Sequence, residues 1–125
     1  MNIINLTPHA IVLRTGDGDI TIAPSGTVAR VTSTPGATHE VAGIPCPVVD
    51  PPTFGEVTGI PDAAPGTVYI VSGMVLSATS RADVFGPGTG PTDGAIRDDA
   101  GRIVAVTRLI AARPVAPRGV LVGNV

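Results

Sequence analysis

The chain has 125 residues, 43% of them hydrophobic and 14% charged, with a net charge of −2. That is the length of a single domain with apolar content for one modest core, which excludes a disordered chain. The slight negative charge and a total of three aromatic residues, Phe54, Tyr69 and Phe85, exclude a general nucleic-acid binder and a base-stacking platform.

No apolar run approaches the roughly 20 residues of a membrane span. The start lacks the charged and apolar regions of a secretory signal, so a cytoplasmic location is the expectation. The single cysteine, Cys46, excludes an internal disulfide or a multi-cysteine zinc site. It lies between Pro45 and Pro47, where a buried, inert thiol is expected.

The elements read as follows. Residues 2–6 and 10–14 are strands around a break at Thr7-Pro8-His9. Thr15-Gly16-Asp17-Gly18-Asp19 is a hairpin turn, with Asp-Gly flanked by apolar alternation. Residues 20–23 and 27–32 are two more strands, joined by a Pro24-Ser25-Gly26 turn, so the first third predicts a β-meander. Residues 33–66 are rich in proline, which cannot donate to a ladder; edge pieces are expected near 40–44 and 53–58.

Thr67-Val68-Tyr69-Ile70-Val71 is apolar on both faces and predicts a central strand covered on both sides. Ser72 can cap a following helix over about 73–80, the single helix predicted in the chain. Residues 86–94 predict a Gly-rich loop, 97–102 a second hairpin turn and 103–110 one strand. The apolar end of the chain, 114–125, is expected to dock on its own sheet or on a neighbouring subunit.

The fold class expected is therefore α+β and mainly β. It is a meander of six to eight short strands with one helix packed on the sheet, in a single domain spanning 1–125. A core poor in aromatics buries little area per residue, so a homo-oligomer is expected.

Chemistry-bearing residues are few. The break Asn5-Leu6-Thr7-Pro8-His9 carries one of the two histidines, the residue type suited to proton transfer near neutral pH. It reads either as a kink, with Thr7 bonding the local backbone and His9 capping a neighbouring carbonyl, or as the mouth of a pocket lined by Asn5, Thr7 and His9. Arg81 and Asp83 read either as partners of each other or as ligand contacts supported by the central strand.

All eight basic residues are arginine, as a GC-rich genome would produce. Arg14, Arg30, Arg81 and Arg108 fall in or beside predicted elements. Arg forks bind phosphate or carboxylate at two points, so Arg30, Arg81 and Arg108 are candidate ligand contacts; surface ion pairs are the competing reading. The loop 86–94 lacks both a P-loop lysine and a dinucleotide-binding glycine pattern. No metal site is expected: Asp98-Asp99 reads as a solvated turn, and His39-Glu40 is isolated.

Together, NLTPH at 5–9, PSGTVARV at 24–31, YIVS followed by RADV and PG at 69–88 and RDDAGRI at 97–103 resemble a set of small uncharacterised proteins of phages, prophages and actinobacteria. The resemblance carries over no activity and no site residue. It implies a setting in which small proteins inhibit host defence, some by sequestering nucleotide signals.

Three functions are compatible with the residues. The first is a non-enzymatic binder of a small phosphorylated or nucleotide-like ligand, using Asn5, Thr7, His9, Arg30, Arg81, Asp83 and Arg108, with no cofactor. The second is a small hydrolase or phosphoesterase using His9 and Asp83. The third is a structural or protein-interaction module.

Overall fold

The computed structural model describes residues 2–114. The apolar segment from 115 onward, including Val120-Leu121-Val122, lies outside the described residues. The chain is mainly β, with twelve strands in small sheets and one short helix among the described residues.

The organising element is β8 (Thr67–Ile70), buried at every position. Its β-branched and aromatic residues suit a pleated, covered surface. It pairs in parallel with β1 (Asn2–Asn5) on one side and with β9 (Val84–Pro87) on the other. Strand β12 (Leu109–Ala111) runs antiparallel beside β9 and completes a four-stranded sheet, in the order β1-β8-β9-β12.

Residues alternate between the two faces of β8, as strand geometry requires. Tyr69 and Val71 join Leu6, Ala29, Val75 and Val84 in one buried cluster. Ile70 joins Ile11 and Val106 in another. The central strand is thus covered on both sides, as its sequence predicts.

The link from β8 to β9 is a parallel crossover, and it contains the helix α1 (Gly73–Ser77). Ser72 is its N-cap, with Oγ accepting from the Val75 N–H at 3.5 Å. The helix is shorter than the expected 73–80, because Ala78 already leaves helical geometry. It packs against β9 and β4 (Arg30–Thr34).

The expected meander does not form. Strand β2 (Ile11–Thr15) pairs with β3 (Gly18–Ile22) through the two-residue turn Gly16-Asp17, inside the turn expected over 15–19. But β1 leaves its sequence neighbour for β8, and β4 pairs antiparallel with β7 (Thr53–Thr58) rather than with β3. Both distant partners bury the apolar side chains of the first cluster, with Ile4 from β1 and Val31 and Val57 from β4 and β7 packed against it. Local turn chemistry is overridden by this burial.

Strand β5 (Thr38–His39) and β6 (Val48–Val49) form a hairpin whose loop, 40–47, is exposed throughout. The expected edge strand at 40–44 is a turn, closed by Ile44 N–H to Val41 O at 3.0 Å. Cys46 lies on this loop and is exposed rather than buried, because the loop contributes no residue to either core cluster.

The single strand expected over 103–110 is two. Strand β11 (Ile103–Ala105) pairs with β10 (Ile96–Arg97), while β12 belongs to the main sheet. Val106 divides them. It bridges to β2, accepting from Arg14 N–H and donating to Val12 O, both at 2.8 Å. The expected loop 86–94 is in part the end of β9, with Gly86 and Gly88 buried.

Among the described residues, no helix is long and apolar enough to cross a membrane.

Candidate functional site

Strands β1, β8 and β9 point the same way, so their carboxyl ends open on one edge of the sheet. In open sheets with parallel strands this edge is where ligands bind. Here the three exits are Thr7-Pro8-His9 after β1, Ser72-Gly73 after β8, and Pro87 to Thr89 at the end of β9. All three line a cleft of about 480 Å3.

The first exit is held by Asn5, which is 1% exposed. Its Nδ2 donates to His9 O at 2.8 Å and to Ile22 O at 3.0 Å. Its Oδ1 accepts from Thr7 N–H and Thr7 Oγ1. Thr7 Oγ1 also lies 3.0 Å from His9 O. The break is therefore a kink built from its own side chains, with Thr7 bonding the local backbone. His9 caps no carbonyl; instead its own carbonyl is capped.

With its backbone pinned, the exposed His9 ring forms no hydrogen bond with any described residue. It stands on the rim of the cleft with Ser72 and Thr89. The walls are apolar: Ile11 and Val12 from β2, Pro87 from β9, and Ile103, Val104 and Val106 from the opposite side. Among the described residues, no arginine and no carboxylate lines it.

A second cleft of about 290 Å3 lies on the other side of the same ridge. It shares Thr7, Pro8 and Ser72 with the first, and Arg30 lines it. A larger hollow of about 590 Å3 is lined by residues 40–47 alone. It is the inside of one exposed loop, and among the described residues no second element contributes to it.

Arg81 and Asp83 lie elsewhere. Asp83 precedes β9 and therefore sits toward its amino end, away from the cleft. Arg81 donates to both of its carboxylate oxygens, Nε to Oδ1 at 3.0 Å and Nη2 to Oδ2 at 2.7 Å, and Nη1 donates to Pro61 O at 2.9 Å. The hydrogen bond to Asp83 raises the Arg81 pKa, against the opposing effect of burial. The guanidinium also lies 5.8 Å from the centre of the Tyr69 ring, within cation–π range.

Arg108 falls in the break between β11 and β12, exposed, with its carbonyl accepting from Gly88 N–H at 2.9 Å. It lines neither cleft.

The seven residues singled out from sequence thus divide into groups. Thr7 and His9 line the larger cleft, and Thr7 and Arg30 the smaller; Asn5 holds the Thr7–His9 break from inside. Arg81 and Asp83 pair with each other, and Arg108 stands apart. Sequence reading missed Ser72 and Thr89 as rim residues and Val104 as wall. Ser72 was visible as a cap, and the parallel exit after β8 is what gives it a second position on the cleft.

Among the described residues, no three His, Cys, Asp or Glu side chains converge to hold a metal ion. Comparison of the chain with protein-family models, with curated proteins and with solved structures returns no match.

Proposed function

We propose that this protein is a non-enzymatic binder of a small organic ligand, held in the cleft at the carboxyl ends of β1, β8 and β9. The observation that carries the reading is the cleft's construction. Its volume of about 480 Å3 falls in the range of roughly 300–1,000 Å3 typical of small-molecule sites. Apolar walls with a few polar groups at the rim are the usual makeup of such sites.

The chemistry favours retention over turnover. Among the described residues, His9 has no carboxylate beside it in the cleft to orient it, and Asp83 is engaged at both oxygens by Arg81. A His9–Asp83 pair is thus not assembled. The sequence resemblance to phage and prophage proteins supplies a setting, sequestration of a phosphorylated, nucleotide-like signal of host defence.

The test is mass spectrometry of small molecules released from the heated protein, beside a thermal-shift panel of nucleotides, cyclic nucleotides and apolar acids. A ligand at about 100 times its Kd stabilises by about 2.7 kcal/mol, a rise on the order of 10 °C for a domain of this size. Thr89→Trp, at an exposed rim position, should fill the cleft and remove the shift. An empty protein with no shift across the panel would overturn the reading in favour of a protein-interaction module.

A further inference from the structure

Four arginines are already engaged. Arg14 pairs with Asp19, Arg81 with Asp83 and Arg102 with Asp98, and Arg97 donates to Gly101 O. Arg30 forms no ion pair and no side-chain hydrogen bond with any described residue, yet it lines the smaller cleft. Arg108 is equally uncommitted but lines neither cleft.

The position of Arg30 is fixed. Its neighbour Ala29 is 4% exposed and donates its N–H to Leu6 O at 3.0 Å. Arg30 itself is in register with Thr58 at the start of β4. The same cleft is lined by Leu6, Val31, Met74 and Val75, with no acidic residue among its described lining. Arg30 is exposed and has no carboxylate partner among the described residues, so its guanidinium is open to an anion at this cleft.

The two clefts meet at Thr7, Pro8 and Ser72. We infer that they are two lobes of one site, and that its ligand has an apolar body in the larger lobe and one acidic group reaching across the ridge to Arg30. The acid is a carboxylate, sulfonate or phosphate; their shared chemistry is a compact anion with two or more oxygens for the guanidinium fork. This rests on the small-ligand reading above and adds to it the class of ligand and the residue that selects it.

Two dyes with nearly the same apolar body separate the claims. 8-Anilinonaphthalene-1-sulfonate carries an anion, and N-phenyl-1-naphthylamine carries none. Fluorescence titration of the full chain should show saturable binding of both. Arg30→Gln should weaken the sulfonate dye by about tenfold or more and leave the neutral dye unchanged. Arg30→Lys should recover part of the loss, and Arg108→Gln should change neither.

If both dyes bind and Arg30→Gln leaves the sulfonate dye unaffected, the two-lobed site is wrong while the small-ligand reading stands. Equal weakening by Arg108→Gln would also overturn it, by showing a general effect of net charge. If neither dye binds, the small-ligand reading fails together with the inference. Arg30 is exposed, so the variants should fold; a thermal midpoint within about 3 °C of the parent confirms it.

Discussion

Asn5 Oδ1 accepts two hydrogen bonds from Thr7, one from its backbone N–H at 2.9 Å and one from its hydroxyl at 2.6 Å. The same amide donates onward to His9 O and Ile22 O. One buried side chain thus sets the exit of β1, the rim of the cleft and the return of the β2–β3 hairpin.

Replacing it should be costly. Asn5→Ala takes away the Asn5 partner of Ile22 O and of the Thr7 N–H, while the Thr7 hydroxyl and His9 O, 3.0 Å apart, keep each other. Orphaned buried groups cost about 1–3 kcal/mol each, so a loss of about 3 kcal/mol or more is expected from urea unfolding. Thr7→Ser keeps the hydroxyl and should lose about 1 kcal/mol or less.

The Arg81–Asp83 pair gives a second test. The Asp83 side chain is 4% exposed and that of Arg81 33%. Arg81→Ala strands a buried carboxylate and should destabilise by about 3 kcal/mol. The double variant Arg81→Ala/Asp83→Ala should lose less than the sum of the single changes, because the stranded charge is gone. Additive losses in the cycle would show that the two are energetically independent.

Gly59 lies at φ +88°, and a Cβ there would meet Val28 O at 2.8 Å and Ala29 Cα at 3.1 Å. Gly59→Ala therefore combines backbone strain with a clash against the segment that positions Arg30. A loss of about 2 kcal/mol or more is expected. Gly26, at φ +96° with nothing within 4 Å, is the matched control; Gly26→Ala should lose about 1 kcal/mol. Calorimetry of the two variants compares them directly.

The pH dependence of the β2–β3 hairpin has a definite sign. A hydrogen bond from Arg14 holds the Asp19 carboxyl below its usual range, against a smaller opposing effect of burial. A depressed carboxyl pKa contributes stability that is complete above the ordinary aspartate value of about 3.9 and is lost as pH falls through the lower folded value. The unfolding midpoints of parent and Asp19→Asn should differ slightly at pH 6, begin to converge below about pH 4 and meet once pH is below the lowered folded value. Both partners are exposed, so about 1 M salt should also narrow the gap.

The readable parts of this fold are those decided by neighbours in sequence. The turn within 15–19, the Ser72 cap and the apolar run of β8 all declare themselves within a few residues. The pairing of Asn2 with Thr67 does not, since nothing in a strand's own residues names a partner so far along the chain. The division of 103–110 has no Gly or Pro to mark it. It arises because Val106 is drawn into hydrogen bonds with β2.

The site shows the same split. Thr7 and His9 stand out because a proline and polar residues interrupt two apolar runs. Arg81 and Asp83 are legible as mutual partners from their spacing. The apolar wall is not legible, because Ile103 and Val104 look like any strand residues until the topology brings them opposite His9. Arg30 stands out only once the partners of its fellow arginines are known.

The parallel pairing of β1 with β8 also imposes an order of events during synthesis. Asn2 lies 65 positions before its partner Thr67. At about 5–20 residues per second, the first strand waits roughly 3–13 s before its place in the sheet exists. During that interval Ile3 and Ile4 have no sheet to join, and both clefts lack Ser72. The proposed ligand site is thus a late product of translation, and a chain interrupted before β8 carries the conspicuous N-terminal motif with nothing for it to build.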